Sequence, residues 1–239
     1  MPPPNWRICL QFGAEGLSSR SPATSPQPSL RRKLVAQKHV TFEPTYLISD
    51  CPTDSISLEV RMEHGEYNID RGNGTAARKI LDDMTELYVK VYAEPPYNSG
   101  PLYQRDAFVA RTNRQIGNDE FTISWASSRR GNLIGYSFGL PFEAGTWWKG
   151  DATSPPADIL QSRKFAIIEL VVDSQWRGRG IGRDLVNDLL SDRTERFAIL
   201  TADPDAPARQ VYAHWGWEKI GSAQHTDEAP TMDQLVLRR

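Results

Sequence analysis

The stretch FAIIELVVDSQWRGRGIGRDLVNDLL, residues 165–190, decides how the rest of the chain is interpreted. Its first nine residues are almost all apolar, which is typical of a strand buried on both faces of a sheet. From residue 181 onward, apolar side chains recur at helical spacing. We therefore expect a strand, a short loop and a helix. The loop contains Arg177, Gly178, Arg179, Gly180, Ile181, Gly182 and Arg183.

A strand that leads through a glycine-rich loop into a helix can hold an anion, because unpaired backbone amides and the helix dipole converge there. Glycines let the backbone come close to a phosphate and adopt positive φ angles. Arginine side chains add positive charge for phosphate oxygens. The loop is therefore predicted to bind a diphosphate.

Two familiar phosphate-binding patterns do not fit this loop. A P-loop ends in Gly-Lys-Ser or Gly-Lys-Thr, and the chain contains neither. The dinucleotide fingerprint needs glycines at its first, third and sixth positions, but the residue six places into the pattern is Arg183. The sequence argues against both sites.

Composition limits the remaining classes of protein. The chain has 239 residues, a formal net charge of -2 and only two cysteines, Cys9 and Cys51. This charge does not favour a nucleic-acid or membrane partner. The cysteines are too few for a disulfide framework and wrongly spaced for zinc, and no other metal site is apparent. No apolar stretch approaches the roughly 20 residues of a membrane helix. We expect a soluble cytoplasmic protein without a metal, and a homodimer is compatible with the sequence.

Residues 1–45 differ in composition from the rest of the chain. They are rich in proline and serine, and residues 1–40 contain six basic residues but one acid, Glu15. Such a segment buries too little apolar surface to offset its ordering entropy, so we expect a disordered extension. A transit peptide, a polyanion-binding tail and an over-long start remain alternatives. A single folded domain is expected over residues 46–239.

The folded region predicts an α+β (mixed α/β) domain, with antiparallel strands early and strand–helix units late. Strands are expected at 55–62, 120–128, 132–140, 165–173, 197–202 and 232–239, and helices at 75–92, 102–116, 181–190 and from Pro207 to just before Gly216. Turns are expected at 68–75, and a long loop at 141–158.

The pattern Arg177-x-x-Gly180-x-Gly182 after a strand resembles the pyrophosphate loop of the GNAT N-acetyltransferase superfamily. IIELVVDSQWRGRGIGRDLVNDLL is similar to motif A of that family, and ILTADPDAPARQVYAHWGWEKIG to its next strand and helix. The specific likeness covers about residues 165–221, and the looser order of elements extends it to 46–239. It implies a central mixed, mostly antiparallel twisted sheet flanked by helices.

The resemblance also implies acetyl-CoA as co-substrate. Its pantetheine arm would pair with the backbone of Leu170, Val171 and Val172, and its diphosphate would be held by the loop from Arg177 to Arg183. Asp205 stands where the family often has an asparagine that touches the pantetheine. Asp205 is also expected to cap the following helix.

Two residues are candidates for proton transfer. Glu169 lies within an apolar strand, where a carboxylate is costly unless it is paired or faces a cleft. In the family, a glutamate on this strand often acts as general base, commonly through a water molecule. The alternative for Glu169 is a structural partner of an arginine or a backbone group. Tyr212 matches the family tyrosine that can protonate the departing thiolate, and its alternative is a core tyrosine next to Trp215.

The acceptor pocket is expected from two segments without a strong family pattern. Tyr97 lies in the first, and Trp147 and Trp148 lie in the second. Aromatic rings can hold an ammonium group, although these three residues can equally be loop packing. A small-molecule amine is favoured over a peptide amine, since long aromatic loops narrow a cleft.

Two hypotheses of different classes follow. The first is an acetyl-CoA-dependent N-acetyltransferase that uses Glu169 as base and Tyr212 as acid. The second is a non-catalytic acyl-CoA-binding or sensing module, with a basic tail that contacts a partner or nucleic acid. The candidate proton-transfer residues favour the first hypothesis.

Overall fold

A computed structural model describes residues 62–64, 66–227 and 229–239. The expected extension over residues 1–45 and nearly all of the strand expected at 55–62 lie outside this part of the chain. The described strands are β1 (Met62–His64), β2 (Tyr67–Gly72), β3 (Thr122–Ser128), β4 (Leu133–Phe142), β5 (Asp151–Ala152), β6 (Lys164–Val172), β7 (Phe197–Ala202), β8 (Glu218–Gln224) and β9 (Met232–Arg238). The helices are α1 (Gly74–Lys79), α2 (Leu81–Tyr92), α3 (Arg105–Ile116), α4 (Ala157–Leu160), α5 (Ile181–Ser191) and α6 (Pro207–His214).

The described strands form one sheet in the order β1-β2-β3-β4-β6-β7-β9-β8-β5. Within it, β6 and β7 run parallel, and the other described pairs are antiparallel. Helices cover both faces. The prediction of a mixed, mostly antiparallel sheet flanked by helices is therefore confirmed.

The parallel strands β6 and β7 separate soon after they meet. They pair at two positions, Phe165 with Ala198 and Ala166 with Ile199. On its other side, β6 stays paired with β4 as far as Val172, with a bulge at Ile168. Bulges bend a strand and increase its local twist, and they are frequent beside active sites. The outer half of β6 thus has one free edge, which opens a gap toward β7.

Two apolar layers hold the helices to the sheet. On one face, α2 and α3 pack through Met84, Tyr88 and Phe108 on strand residues that include Val171. On the opposite face, α5 packs through Ile181 and its neighbours on β2, β3 and β4. Since β6 is covered on both faces, its apolar sequence is explained.

The helix expected at 75–92 is two helices. Asn73 caps α1 by accepting from the amides of Thr75 and Ala76, and Ile80 leaves helical geometry with φ of -113° and ψ of 12° before α2 begins. The apolar period continues through this break because Ile80 still packs against the core. The helical spacing of apolar residues alone therefore could not reveal the break between α1 and α2.

Three strands, β2, β5 and β8, were not predicted. The turns expected at 68–75 are largely β2, in which buried Tyr67 and Ile69 alternate with more exposed residues. The segment after Gly216 forms β8, which pairs with β9 and β5. The loop expected at 141–158 also contains the end of β4, the two residues of β5 and the start of α4.

No helix in the described ranges has the length and apolar character required to cross a membrane.

Gly139 fixes the distance between β4 and the bulged part of β6. A Cβ at this position would lie 2.4 Å from the carbonyl oxygen of Ala166 and 2.6 Å from the ring of Phe165. We predict that Gly139→Ala lowers the free energy of unfolding by roughly 1–3 kcal/mol, since strand β4 must move to relieve the overlap. Urea denaturation measures the change.

Gly117→Ala at the end of α3 is the control, because its Cβ would come no closer than 3.3 Å to another atom. A stability loss no larger in Gly139→Ala than in this control would contradict the packing described here.

Candidate functional site

Two cavities meet where β6 and β7 separate. The first, called here the loop groove, has a volume of about 540 Å³ and runs between the end of α2, the end of β6, the glycine–arginine loop and α6. The second, called the aromatic cavity, has a volume of about 150 Å³ and contains Glu169. Tyr92 is the one described residue that lines both spaces.

Most residues predicted to bind the co-substrate line the loop groove. They are Leu170, Val172, Arg177, Gly178, Gly180, Ile181, Gly182 and Arg183, together with the predicted acid Tyr212. Val171, Arg179 and Asp205 are not among its lining residues. The sequence-predicted loop, strand end and helix are thus brought together in one groove.

Val171 and Asp205 need correction. The Val171 side chain is fully buried in the core beneath α2, and the residue pairs with Tyr136 of β4. Asp205 is exposed and does not cap α6, whose N-cap is Ala206 without a side-chain hydrogen bond. Asp203 organises this turn, since its carboxylate accepts from the Asp205 amide at 2.9 Å.

The free edge of β6 presents alternate backbone groups to the gap. The Asp173 amide donates to the Ile134 carbonyl at 2.9 Å, and the Glu169 carbonyl accepts from Ser137 at 2.9 Å, so both point toward β4. Because backbone polar groups alternate along a strand, those of Leu170 and Val172 point away from β4. These two residues can pair with an extended ligand, whereas the backbone of Val171 points toward β4.

The glycine–arginine loop has the backbone geometry that its sequence predicts. Gly178 and Gly180 have φ angles of 77° and 85°, a region that glycine adopts without strain. A Cβ on Gly178 would meet no atom within 4 Å. The loop leads directly into α5, whose first-turn amides carry the positive end of the helix dipole. The local field therefore favours an anion.

The loop arginines differ in their surroundings. Arg177 donates to the Val172 carbonyl at 3.1 Å and pairs with Glu94 at 2.6 Å. Arg179 pairs with Glu66 at 2.7 Å, and its guanidinium lies 4.8 Å from the centroid of the Trp176 ring. Arg183 lines the groove. The structure thus puts Arg177 and Arg183 at the groove and Arg179 outside it.

Glu169 forms the polar centre of the aromatic cavity. The residue is 7% exposed, and the Tyr92 hydroxyl donates to its Oε1 at 2.5 Å. Its Oε2 lies 3.7 Å from Nη2 of Arg111. Burial raises the pKa of the Glu169 carboxyl, and the charge of Arg111 and the Tyr92 hydrogen bond partly oppose this rise. A carboxyl group with a raised pKa is suited to accept a proton near neutral pH.

Arg111 is the structural partner that the sequence left unidentified. Its Nη2 donates to the Tyr88 hydroxyl at 2.5 Å, and its Nη1 donates to the Leu102 carbonyl at 3.0 Å. The guanidinium carbon lies 4.9 Å from the Tyr88 ring centroid. An arginine held by rings and hydrogen bonds compensates a buried carboxylate, so Glu169 has a partner and also lines a cavity.

Tyr212 lies on α6 at the wall of the loop groove and is 8% exposed. Its ring packs edge-on against Trp215 and Trp217. Burial, and then the charges of Tyr97 and Glu169, raise the pKa of its hydroxyl, which therefore stays protonated at neutral pH. Tyr212 therefore packs against tryptophans and also borders the groove, and its role as proton donor to the departing thiolate stays a prediction.

The three predicted acceptor residues separate. Tyr97 lines the loop groove, and its ring lies against Tyr92 and Tyr103. Trp148 lines the aromatic cavity. Trp147 lines neither space, because its indole donates to the Thr153 carbonyl at 3.0 Å and packs against Trp148.

Sequence reasoning missed Tyr88, Tyr92, Tyr103 and Arg111 at the cavity. Tyr88 and Tyr92 are four residues apart on α2 and share its inner face. Arg111 follows Phe108 by three residues and lies on the buried face of α3. A charged residue at a buried helix position was the available signal.

Comparison with known proteins supports the geometry. Residues 157–233 match the family model of the acetyltransferase (GNAT) domain. No curated protein matches the sequence. Three solved structures, all below 15% identity, share the fold. A GNAT-family acetyltransferase from Streptococcus agalactiae is 13% identical; the match covers 72% of this chain and 95% of that protein, with a TM-score of 0.53. A probable acetyltransferase from Staphylococcus epidermidis is 14% identical, covering 72% and 98%, with a TM-score of 0.52. The NatC complex bound to Gag peptide and CoA is 14% identical, covering 73% and 99%, with a TM-score of 0.50.

The sheet with its separated parallel strands and the glycine–arginine loop agree with the family match. This match assigns residues 157–233 to the acetyltransferase (GNAT) domain family, and the described fold is shared with the three solved structures.

The hydrogen bond between Tyr92 and Glu169 has a measurable effect on the carboxyl group. It lowers the pKa that burial raises, so we predict that Tyr92→Phe raises the Glu169 pKa further. Carbon-13 NMR titration of protein labelled at glutamate measures this pKa. The Glu169 signal is identified because it is missing from the spectrum of Glu169→Gln. Tyr103→Phe is the control, since Tyr103 lines the same cavity but its hydroxyl does not donate to Glu169. A Glu169 pKa that is unchanged or lower in Tyr92→Phe would contradict the hydrogen-bond assignment.

Proposed function

We propose that the protein is an acetyl-CoA-dependent N-acetyltransferase that moves an acetyl group directly onto a primary amine. The observation that carries this proposal is the position of Glu169. It is a buried carboxyl group with a raised pKa in a cavity that shares the lining residue Tyr92 with the loop groove. A base on one side and an anion-binding groove on the other are what a transfer between two bound substrates needs.

Acetyl-CoA fits the loop groove. The amides at the start of α5, with Arg177 and Arg183, would hold the diphosphate. The backbone of Leu170 and Val172 would pair with the pantetheine amides along the free edge of β6. The NatC structure, which shares the fold, is bound to CoA, and this supports the same co-substrate here.

Attack by the amine needs a neutral nitrogen, yet an alkyl amine has a pKa of about 10.4. Glu169 in the proposed reaction removes a proton from the nitrogen, directly or through water. The C–N bond forms, the thioester C–S bond breaks, and Tyr212 donates a proton to the departing sulfur. An amine that binds as an ammonium ion loses two protons per turnover, one before the attack and one after the C–N bond has formed. One proton is matched by the proton that Tyr212 gives to the sulfur, and the other leaves from Glu169 to solvent, so the products are the amide, CoA with a free thiol and one released proton.

The transfer is proposed to be direct because a covalent acetyl-enzyme needs a nucleophile such as a thiol. No cysteine occurs in residues 66–227 or 229–239, which supply every lining residue of both cavities. Glu169 can serve as a base from its observed position without forming a bond to the acetyl group.

The loop assignment predicts that Gly180→Glu abolishes CoA binding. Gly180 lies in the groove with a φ angle of 85°, and a glutamate there adds strain, bulk and negative charge against a diphosphate. We expect calorimetry to show at least a roughly 100-fold rise in the Kd for CoA, a loss of about 2.7 kcal/mol.

Gly131→Glu is the matched control. Gly131 has a φ angle of 82° in the hairpin between β3 and β4, and a Cβ there meets no atom within 4 Å. It therefore imposes the same backbone strain and charge away from the groove. Equal loss of affinity in the two variants would show that strain, not the site, is responsible.

The proposed function is tested by a screen of primary amines with acetyl-CoA that detects the released CoA thiol. We expect turnover with at least one amine and a fall of roughly 10²–10⁴-fold in kcat for Glu169→Gln, as for loss of a general base. Calorimetry on Glu169→Gln checks that CoA still binds. Tight CoA binding without turnover of any amine would favour the non-catalytic acyl-CoA-binding module instead.

A further inference from the structure

The aromatic cavity limits the size and polarity of whatever it holds. Its volume of about 150 Å³ is the size of an engineered protein cavity that binds benzene. Rings and aliphatic side chains form most of the wall, among them Tyr92, Leu102, Tyr103, Trp148 and Met232. An acceptor would therefore bury a small apolar group there.

One carboxylate and one guanidinium determine the charge of the cavity wall. Glu169 and Arg111 both line the cavity, and Oε2 of Glu169 lies 3.7 Å from Nη2 of Arg111. These two charges offset one another, so a carboxylate on the acceptor would bring an uncompensated negative charge into a largely apolar space. A single ammonium group can instead lie against the Glu169 carboxylate.

Arg111 is already occupied by protein acceptors. Its two terminal nitrogens donate to the Tyr88 hydroxyl and the Leu102 carbonyl, and Nη2 also lies near Glu169. His225, also in the wall, has its pKa lowered by burial and is therefore neutral at neutral pH. A carboxylate on the acceptor would therefore have to compete for Arg111 with Glu169, the Tyr88 hydroxyl and the Leu102 carbonyl.

We infer that the acceptor is a small monoamine with an apolar skeleton about the size of a benzene ring and no carboxylate beside the amine. This inference rests on the proposed function and names its substrate class. The amine nitrogen lies toward Glu169 and Tyr92, where the loop groove begins. The apolar skeleton fills the space between the rings. A peptide amino terminus is disfavoured because its chain would continue past the cavity wall.

Three amines that share the phenylethyl group, 2-phenylethylamine, L-phenylalanine and L-phenylalaninamide, separate the effect of acceptor size from the effect of acceptor charge. We expect kcat/KM for 2-phenylethylamine to exceed that for L-phenylalanine by roughly 10- to 100-fold, because the added carboxylate would be buried in a largely apolar space without a cation of its own. L-phenylalaninamide has similar bulk without the charge and should fall between them. A tripeptide with a free amino terminus should be the poorest of the four.

Two variants on partly exposed positions test whether this cavity is where the skeleton binds. Leu102→Trp fills part of the space and should lower kcat/KM for 2-phenylethylamine more than for propylamine. Met232→Ala enlarges the cavity and should favour amines with a larger ring system. Calorimetry with CoA on both variants confirms that the loop groove is intact.

The outcomes distinguish this inference from the function on which it depends. If no amine is acetylated although CoA binds, the proposed function fails and the inference fails with it. If amines are acetylated but phenylalanine or the tripeptide is preferred, the function stands and the inference is overturned. Unchanged selectivity in Leu102→Trp and Met232→Ala also overturns it.

Discussion

The early separation of β6 from β7 is the constraint on which the rest of the site depends. The two strands pair only through Phe165 and Ala166, whereas β6 continues for six more residues beside β4. Unpaired backbone groups in a protein interior are costly, so an edge of this kind needs a ligand or water to satisfy it. The gap lets α6 and the glycine–arginine loop border one space while α2 and α3 border another. A sheet paired to its end at this point would close both.

The chemistry of the site follows from the balance at Glu169. Desolvation alone would leave a carboxyl group protonated, and an arginine in full contact would fix it as an anion. Arg111 lies 3.7 Å away and is shared with Tyr88 and the Leu102 carbonyl, so its effect on Glu169 is partial. The proposed base therefore retains a raised pKa and can exchange protons.

The elements that the sequence predicted best are those with an unbroken pattern. The strand at 165–173 and the helix after the loop were predicted within a residue or two, because burial on both faces and helical spacing leave clear signals. Ile80 hid a helix break because an apolar residue there continues the period. β8 was missed because its sequence, EKIGSAQ, has little apolar alternation, and the strand depends on pairing with β9.

Part of the loop groove was predictable because the end of β6, the glycine–arginine loop and the start of α5 adjoin in sequence. The aromatic cavity was not, since Tyr92, Arg111 and Glu169 come from three separate elements and meet only through packing of α2 and α3 on the sheet. The turn before α6 was also not predictable. Asp203 accepts a hydrogen bond from the Asp205 amide, and Asp205 does not cap the helix, because the backbone angles there are not specified by residue type.

Tyr92 is a wall common to both cavities, whereas Leu102 and Met232 border the aromatic cavity alone. Substitutions at Tyr92 therefore alter two spaces together, and selection on either would constrain this residue. Leu102 and Met232 can vary without touching the loop groove. Divergence among descendants of such a chain is thus expected to accumulate first at these two positions, so that new acceptors could be acquired while the shared ring stays fixed.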